Sequence, residues 1–576
     1  MTHPTEIRAL RYRAASYHAA HVEPGTLQRA AMLGFNTVEL QLEGDTMRGF
    51  EKLRRRADET GMFREIRDLG MEVAVWTHEL SGYDAAAHGP VEVANAGVWA
   101  FVRSRYRRVC RELLPEMDYL VLTVVETQHN MTEPGVLQRL VEAIDSEVRA
   151  AGKRLIFRSF VWHPQEMEQV VAAMKRMPED VWFHTKYVPQ DWHFRSIDNP
   201  LIGRFPGRVE IVEYGVAGEY IRERHLATCV ADDLMQRHRT WLEKGVDGVS
   251  VRVNRWAGGD SNSAFDSLQE SNLWVLAPLA AGRATTLEAG LSAYAEDRFG
   301  TAAAPAAAAA LRTSGAVNME ALCVERETFG DPRSAVPAGS TLDLPARIAG
   351  LRERWRQRID IPAGLDLDTA AARAYADDED FLGRNPFHNH WAVFRWAPRF
   401  APAYHKIRRG VPAVIARKEA AYAEARRVAI ESLSTVEAAE ALFDDPEAYR
   451  FLHWRLSENL WHLDVMCAAA LAWLNAARSL YAEDAAEREA RRRQARDWLG
   501  RVEQLDASAR DETVSITWLG RRRTLQRGGY LDLERFVARF RTLWRLPTSL
   551  KAKDGNSPDA PRRGATPFRR RPPRRC

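Results

Sequence analysis

Short apolar runs alternate with longer amphipathic segments over the first 300 residues of the chain. The short runs are rich in β-branched and aromatic residues, as in FNTVELQLE (35–43) and DYLVLTVVET (118–127), and this is typical of buried strands. Segments with a helical period lie between them, for example TLQRAAMLG after the first run, VLQRLVEAIDSEVRAAG after the fourth and VADDLMQRHRTWLEKG after the seventh. The pattern therefore predicts repeated strand–helix units.

Eight candidate strands occur before residue 300. They cover residues 7–16, 35–43, 71–80, 118–127, 154–162, 181–188, 209–216 and 247–255. Eight strands with crossover helices in about 250 residues predict a (β/α)8 TIM barrel, an α/β fold. A doubly wound open sheet is the alternative, but no GxGxxG sequence follows an early strand, which weighs against it.

After residue 300 the strand pattern gives way to helical periodicity. Alanine-rich and amphipathic segments extend to about residue 548, and the Pro- and Arg-rich end that follows cannot build a core. We therefore predict a catalytic barrel over 1–300, an all-helical C-terminal domain over 301–548 and a disordered basic tail over 549–576.

The distribution of charge along the chain limits which classes of partner the sequence supports. The formal net charge is +4, and much of the positive excess lies in the tail. The body of the chain lacks the basic surface with stacking aromatic residues that nucleic-acid binding requires. The N-terminal residues contain no apolar leader region, and no run of about 18 apolar residues occurs. We expect a cytoplasmic protein with no nucleic-acid or membrane partner.

The five cysteines, Cys110, Cys229, Cys323, Cys467 and Cys576, are scattered without paired spacing. This argues against both a disulfide framework and a zinc knuckle. The pair His388 and His390 resembles a metal site, but no acidic partner has convincing ligand spacing, so a helix-packing role is preferred. We expect no metal and no cofactor.

Charged and aromatic side chains gather where the predicted strands end. They include Glu39, Glu43, His78, Glu79, Glu126, Arg158, Trp162, Lys186, Asp191, Trp192, Glu213, Glu219, Tyr220, Arg252 and Asn254. Barrel strands end at one common mouth, where such folds hold their chemistry. Carboxylates beside aromatic rings suit a carbohydrate, and two or three carboxylates can divide general acid and general base work.

Four of these strand ends resemble the barrel of the glycoside hydrolase family 67 α-glucuronidases. The stretches are LTVVETQHN, RSFVWH, HTKYVPQDWHF and VEIVEYGVAGEYIRERHL, at the ends of predicted strands four to seven. The resemblance covers about residues 118–300. It implies that Glu126 is the general acid and that Asp191 and Glu219 activate water.

The resemblance also implies a pocket for glucuronic acid. It places Arg158 and Lys186 in the pocket for the acid, and we expect Trp162, Trp192 and Tyr220 to wall the substrate site. The predicted function is a glycosidase that releases α-linked glucuronic acid, or a related uronate, from small oligosaccharides by inversion, as in xylan degradation. A homodimer through the helical domain is left open.

The chain departs from the family in three respects, one of which is that its first strand, RYRAASYHAA, lacks the family's tryptophan–aspartate–asparagine pattern. Its barrel begins near residue 7 without the family's separate N-terminal domain, and Leu122 stands where a lysine is expected. Within the site, Glu213 competes with Glu219 for the role of base unless it is a paired barrel-interior carboxylate. Arg158 and Lys186 have a similar alternative, because buried charges are usually paired.

Two other functions stay open. The strand-end residues Glu39, His78, Glu126, His163 and His184 also suit a metal-dependent sugar isomerase or epimerase. Sensitivity to a chelator would separate that enzyme from a hydrolase. The third interpretation is a non-catalytic carbohydrate-binding barrel.

Overall fold

The computed structural model describes the greater part of the chain. The described residues are 8–42, 46–80, 83–124, 133–159, 164–187, 198–199, 201–216, 226–257, 260–324, 327–328, 410–528 and 533–544. The predicted tail over 549–576 and the pair His388 and His390 lie outside the described residues.

Eight parallel strands close into a barrel in the order in which they occur along the chain. They are β1 Tyr12–His18, β2 Thr37–Gln41, β3 Glu72–His78, β4 Tyr119–Thr123, β5 Arg154–Ser159, β6 Trp182–Lys186, β7 Glu210–Gly215 and β8 Gly248–Arg252. The sheet closes because β1 pairs with two strands: Ser16 lies opposite Glu39 on β2 and opposite Arg252 on β8. The predicted TIM barrel is confirmed.

Each predicted strand region contains one barrel strand, but β1 is displaced toward the C-terminus. The prediction covered 7–16, whereas the strand runs from Tyr12 to His18. Its neighbour β8 begins at Gly248, which pairs with Tyr12. The barrel therefore offers β1 no ladder partner on that side before Tyr12.

Helices surround the barrel and build the C-terminal region. Those described are α1 Thr26–Leu33, α2 Thr46–Thr60, α3 Met62–Asp68, α4 Ala85–His88, α5 Ala96–Arg108, α6 Val136–Ala150, α7 Pro164–Met174, α8 Ala231–Glu243, α9 Glu270–Ala280, α10 Leu287–Phe299, α11 Ala304–Leu322, α12 Pro412–Ala438, α13 Pro446–Tyr481, α14 Ala485–Ala509 and α15 Leu533–Trp544. The helices predicted after the first, fourth and seventh strands correspond to α1, α6 and α8.

Alternate residues of each barrel strand enter two different apolar layers, as the period of two along a strand requires. One layer fills the barrel interior and consists of Tyr12, Ala14, Ala74, Trp76, Tyr119, Val121, Ile156, Trp182 and Ile211. The other lies between the barrel and the helices and includes Leu40, Val75, Leu122 and Phe157. Leu122 thus faces the helices, so the departure from the family at this position lies outside the barrel mouth.

Long helices dominate the region after the barrel, and α13 is its central element. It is the described helix that is long and apolar enough to cross a membrane, yet 94% of its most apolar window is buried inside the protein. Ala468, Leu471 and Leu474 are fully buried, and α12 and α14 pack beside them. Helix α13 is therefore buried to the extent expected for the central helix of a folded domain.

The predicted helical C-terminal region is confirmed, and it also contains short antiparallel strands. Strands β13 Thr513–Trp518 and β14 Arg521–Gln526 form an antiparallel hairpin. The turn residues Leu519 and Gly520 have φ values of 50° and 73°, as a tight hairpin turn requires. Smaller two-stranded pairs are β9 Asn254–Ala257 with β10 Asp260–Ser263, and β11 Cys323–Val324 with β12 Glu327–Thr328.

Candidate functional site

The strand register carries a set of charged side chains into the barrel. The interior apolar layer includes Tyr12, Trp76 and Trp182. Positions two or four residues further along the same face of a strand lie nearer the C-terminal end of the barrel. By this alternation Glu39, Arg158, His184, Lys186, Glu213 and Arg252 face inward, and all six are buried.

Glu39 on β2 is the deepest carboxylate of this group. The Tyr12 hydroxyl donates to its Oε1 at 2.8 Å, and the Trp76 indole and the Ser250 hydroxyl donate to its Oε2 at 2.8 and 2.7 Å. Burial raises the pKa of Glu39, but the adjacent His184 and the hydroxyls of Ser250 and Tyr12 outweigh it and hold the pKa below its ordinary value. Glu39 is therefore a fixed anion beneath the mouth.

His184 on β6 lies between two carboxylates. Its Nε2 is 3.6 Å from Glu39 Oε1, and its Nδ1 is 3.6 Å from Glu213 Oε2. The imidazole meets the Trp76 ring edge-on, with centroids 5.6 Å apart and an interplanar angle of 83°. His184 thereby links the deep carboxylate to the charged layer above it.

Glu213 on β7 joins two arginines. Arg158 donates to it from Nε at 2.6 Å and from Nη2 at 3.1 Å, and Arg252 donates from Nε at 2.8 Å. Burial raises the pKa of Glu213, but the charges of Arg158 and Arg252 lower it by more, so the pKa lies well below its usual range. Glu213 is thus a permanent counter-ion, which matches the paired barrel-interior alternative considered for it.

Both guanidinium groups also lie over one aromatic ring, that of Trp76. The Cζ atoms of Arg158 and Arg252 are 4.6 and 5.2 Å from the centroid of the Trp76 ring. A cation over an indole face is favourable, the more so when both groups are shielded from water. Trp76 and Glu213 therefore fix the two arginines from different sides.

Lys186 lies at the end of β6, beside this pair. It is 1% exposed and stands opposite Glu213 in the β6–β7 register. The structure thus places Arg158 and Lys186, the two predicted acid-pocket cations, on neighbouring strands of the same mouth. Their predicted contact with substrate stays a prediction.

Among the described residues, uncharged polar side chains form hydrogen bonds at the ends of β1 and β2 and just after β8. On β1 and β2 the Gln41 side-chain amide donates to the Ser16 hydroxyl at 2.8 Å. Beyond β8 the Asn254 side chain accepts from the backbone N–H of His18 at 2.5 Å and donates to the carbonyl of His21 at 2.7 Å. Asn254 thereby fixes the segment that leaves β1.

Glu79 belongs to a different environment from the other strand-end residues. Its carboxylate accepts a hydrogen bond from the Tyr106 hydroxyl and lies 3.5 Å from Nη1 of Arg105. Both partners are on α5, between the barrel and the helix layer. Glu79 therefore does not contribute its side chain to the mouth.

Six of the eight predicted site residues lie outside the described residues. These are the proposed acid and bases Glu126, Asp191 and Glu219, and the proposed pocket walls Trp162, Trp192 and Tyr220. Their sequence positions follow the ends of β4, β5, β6 and β7. These four strands end on the same side of the barrel as the Arg158–Glu213–Arg252 group.

The described residues contain no group of three or more His, Cys, Asp or Glu side chains placed to hold a metal ion. Of the residues considered for an isomerase, Glu39 and His184 are adjacent, but both carboxylate oxygens of Glu39 accept hydrogen bonds from other side chains. Glu126 and His163 of that set lie outside the described residues.

Sequence reasoning did not anticipate the partners within this network. It ranked Glu213 and Arg252 among strand-end residues but did not join them, and it assigned no role to Trp76. The signal that could have found them is the alternation of side chains along each strand. It places Trp76, Arg158, Glu213 and Arg252 on the inward face of the barrel, together with the interior apolar layer. Counting alternate residues from Tyr12 or Trp182 would have identified it.

Neither a protein-family model nor a curated protein matches the chain. Solved structures similar to it include a glycoside hydrolase family 30 subfamily 8 xylanase from Clostridium acetobutylicum, with 13% identity over 47% of this chain and 72% of that chain at a TM-score of 0.32. A sugar phosphate isomerase/epimerase from Parabacteroides distasonis has 13% identity over 48% and 95%, also at 0.32. CpGH84D has 10% identity over 93% and 75% at 0.37. Such low scores support no statement about activity.

Proposed function

We propose that this protein is a glycosidase that removes α-linked glucuronic acid, or a related uronate, from small oligosaccharides with inversion of the anomeric centre. The main observation in its support is the set of buried cationic side chains at the barrel mouth. Arg158, Lys186 and Arg252 lie near the ends of β5, β6 and β8, and Glu213 joins the two arginines. Guanidinium and ammonium groups suit a sugar that bears its own carboxylate.

Arginine suits this task because its planar guanidinium matches a carboxylate with directional hydrogen bonds. The two arginines are already oriented by Glu213 and by the Trp76 face. A bound uronate would therefore meet donors that need little reorganisation. Neutral sugars would gain much less from the same groups.

The proposed chemistry divides work among three carboxyl groups in the loops that follow the strands. Glu126 protonates the leaving-group oxygen, while Asp191 and Glu219 position and deprotonate water on the opposite face of the sugar. These assignments come from the family resemblance and from the chain order of the strands. Glu213 is unsuited to the base role, because guanidinium groups occupy both of its carboxylate oxygens and hold it ionised.

The first test is a panel of aryl and oligosaccharide α-glucuronides beside the matching α-glucosides, with released sugar measured in the presence and absence of EDTA. We expect hydrolysis of the glucuronides alone, unaffected by EDTA. Turnover of α-glucosides at equal rates would contradict uronate selectivity. Isomerised sugar that disappears with EDTA would support the metal-dependent isomerase instead.

The roles are tested by Glu126→Gln, Asp191→Asn and Glu219→Gln. Each substitution should lower turnover at least about a hundredfold with an unchanged melting temperature, as expected for positioned acid–base groups. A near-native rate removes that residue from the mechanism. Proton NMR in the first minutes should show the β-anomer of the released acid, and initial release of the α-anomer would contradict inversion.

A further inference from the structure

We infer that Arg237 on α8 is a positioning residue for Asp191, one of the two proposed water-activating carboxylates. It acts through the neck of the β6–β7 connection, which consists of Tyr187, Asp198 and Asn199, the described residues on either side of residues 188–197. The inference rests on the proposed function and deepens it, since it names a residue of the helix layer on which a base of the reaction depends.

Backbone hydrogen bonds close the neck. The Tyr187 N–H donates to the carbonyl of Glu213 on β7 at 2.8 Å, so the chain is still held to the barrel one residue after β6 ends. The Asn199 N–H donates in turn to the Tyr187 carbonyl at 2.7 Å. Residues 188–197, with Asp191 among them, therefore leave and re-enter the described structure at one point.

The returning side of the neck is anchored in the core. Asn199 is fully buried, and its side-chain Oδ1 accepts a hydrogen bond from the N–H of Leu201 at 3.0 Å. Leu201 and the adjacent Ile202 belong to the apolar layer between the barrel and the helices. The chain that follows the neck is thus held by packing as well as by hydrogen bonds.

Arg237 contacts both sides of the neck. Its Nη1 donates to Oδ1 of Asp198, and its Cζ lies over the Tyr187 ring, 5.1 Å from the centroid. One planar guanidinium therefore forms an ion pair with the returning side and a cation–π contact with the departing side. The side chains of Arg237 and Asp198 are 14% and 20% exposed, so water screens the ion pair only in part.

Trp241 supports the same contacts from the next turn of α8. Its indole N–H donates to Oδ2 of Asp198 at 3.1 Å, and its ring centroid lies 6.1 Å from that of Tyr187. Both carboxylate oxygens of Asp198 are therefore bound to α8. Since Arg237 and Trp241 belong to one continuous helix, they hold the neck at a fixed place on the helix layer.

The position of the neck matters for the proposed chemistry. Asp191 lies between Tyr187 and Asp198 in the sequence, so both chain segments that lead to it begin at contacts of Arg237. A general base acts only within hydrogen-bond reach of its proton, and a misplacement of about 1 Å can cost about a hundredfold in rate. Loosening the neck should therefore slow the chemical step more than it weakens substrate binding.

Arg237 also provides a matched control. Its Nε donates to Oδ2 of Asp233 at 2.7 Å, an ion pair within α8 that involves no residue of the neck. Asp198→Asn and Asp233→Asn thus each remove one carboxylate charge from the same guanidinium. Only the first substitution weakens the neck.

The experiment measures two quantities on the full chain: hydrogen exchange of the Asn199 amide, read at single-residue resolution, and steady-state hydrolysis of an aryl α-glucuronide. Arg237→Gln and Asp198→Asn should each speed the exchange and lower kcat at least about tenfold, with KM changed less than about twofold. Asp233→Asn should stay within about twofold of wild type in both quantities. Arg237→Lys should recover part of the lost kcat, because it keeps the charge but not the planar group.

A double-mutant cycle separates positioning from a general structural loss. If Arg237 acts through Asp191, adding Arg237→Gln to Asp191→Asn should lower the residual turnover by less than about twofold, because the positioned group is already absent. A further loss of about tenfold in that background would show that Arg237 acts elsewhere, and it would overturn the inference.

The two measurements also distinguish the inference from the proposed function. Uronide hydrolysis by wild type with an unchanged kcat in Arg237→Gln overturns the inference alone. Faster exchange in Arg237→Gln, together with no uronide hydrolysis by wild type, rejects the proposed function and leaves Arg237 as a structural anchor of the neck. If Arg237→Gln unfolds, Asp198→Asn, which keeps the guanidinium beside Tyr187, supplies the same comparison.

Discussion

Two glutamates on one strand illustrate how position in the barrel sets the behaviour of a carboxyl group. Glu213, in the upper half of β7, is ionised by two arginines. Glu210, three residues earlier, accepts one hydrogen bond from the backbone N–H of Gly203 at 2.8 Å, and burial raises its pKa to about 7. The same residue type on the same strand is thus stabilised in opposite protonation states.

We predict that Glu213→Gln lowers the free energy of unfolding by about 3–5 kcal/mol at pH 7, because it removes the buried carboxylate that Arg158 and Arg252 share. The pKa of Glu213 in the folded state lies below its ordinary value of 4.5. Its stabilising effect is therefore complete above that value and is lost as the pH falls through and below it. Urea unfolding at several pH values should show the difference from wild type shrinking on acidification.

Glu210→Gln is the matched control, because the stability contribution of Glu210 depends on pH in the opposite direction. Because the folded-state pKa of Glu210 is raised, wild type loses stability from this group as the pH rises from about 4.5 to about 7. The Gln variant has no carboxyl group to titrate, so its free energy of unfolding should rise relative to that of wild type over the same pH interval. A constant difference between wild type and Glu213→Gln at all pH values would refute the counter-ion role of Glu213.

The candidate site was predictable from the sequence to a limited depth. Strand ends identified Arg158, Lys186, Glu213 and Arg252 as residues of the mouth, because barrel topology brings all strand ends together. The pairing of Glu213 with two arginines was not predictable in the same way. It depends on which of several inward-facing charges meet across β5, β7 and β8 once the barrel closes.

At the scale of elements, the segment from Leu226 to Ala231 shows how the helical region holds the barrel. Its first five residues lie between β7 and α8 and form no regular secondary structure, and Ala231 begins α8. Buried side chains form the hydrogen bonds that its backbone N–H and carbonyl groups need. Gln269 donates to the carbonyl of Leu226, and Asn459 and Asn318 bind the backbone of Ala227. Asn272 binds the backbone of Thr228, Val230 and Ala231, and the Ser314 hydroxyl accepts from the N–H of Cys229. Gln269 immediately precedes α9, and the other side chains come from α9, α11 and α13.

We predict that Asn459→Ala destabilises the protein by about 1–3 kcal/mol, because it leaves the buried N–H of Ala227 without an acceptor. Asn459 accepts from this N–H at 3.0 Å and donates to the Ala227 carbonyl at 2.7 Å. Asn318→Ala should cost less, since the Ala227 carbonyl keeps its bond from Asn459. Denaturant unfolding measures both.

Asn475→Ala is the control for the Asn459 variant. It removes another fully buried asparagine of α13, which donates to Leu471 of its own helix and accepts from Arg491. Its loss leaves no barrel backbone group unpaired. Equal destabilisation by the Asn459 and Asn475 variants would contradict the role given to Asn459.

A close helix contact gives a second prediction for the same segment. A Cβ atom at Gly315 of α11 would lie 1.7 Å from the carbonyl oxygen of Cys229, whereas one at Gly500 of α14 would meet nothing within 4 Å. Gly315→Ala should therefore destabilise the protein, although alanine is the better helix former. Gly500→Ala should stabilise it by about 0.5–1 kcal/mol. Thermal unfolding distinguishes the two, and a stable Gly315→Ala variant would show that α11 does not pack as described.

Secondary structure was predictable where periodicity was strong. The eight barrel strands and helices α1, α6 and α8 follow from apolar runs and amphipathic segments. The hairpin β13–β14 was missed because its second strand, RRRTLQ, begins with three arginines and its outer face is exposed. Its apolar face is recognisable only against the helices that cover it, a tertiary effect.

At the scale of the whole molecule, one apolar core runs from the barrel into the C-terminal region. The cluster that surrounds the barrel also contains Phe443 and Phe451 of the helical region and Ile516 and Trp518 of the hairpin. Ion pairs from β14 reach the barrel at Glu23 and Asp266. A shared core predicts that the two regions unfold together.

Trp518 lies at the centre of this junction. Its ring stacks on Phe451 of α13 with centroids 4.2 Å apart and an interplanar angle of 11°, and on Phe299 of α10 with centroids 6.1 Å apart. It is 3% exposed. The hairpin therefore fixes the last barrel helix and the central helix of the C-terminal region to the same ring.

We predict that Trp518→Ala lowers the free energy of unfolding by about 3–5 kcal/mol and does so for both regions at once, because the cavity opens in their common core. Hydrogen exchange followed by mass spectrometry should show peptides from the barrel strands and from α13 losing protection to the same extent. The neighbouring Leu519 is exposed and has a φ of 50°, so Leu519→Asn should leave protection unchanged or increase it, since asparagine tolerates this conformation. If Trp518→Ala weakened protection in α13 while the barrel peptides kept theirs, the barrel would be an independent folding unit, and the hairpin would be an attachment rather than part of a common core.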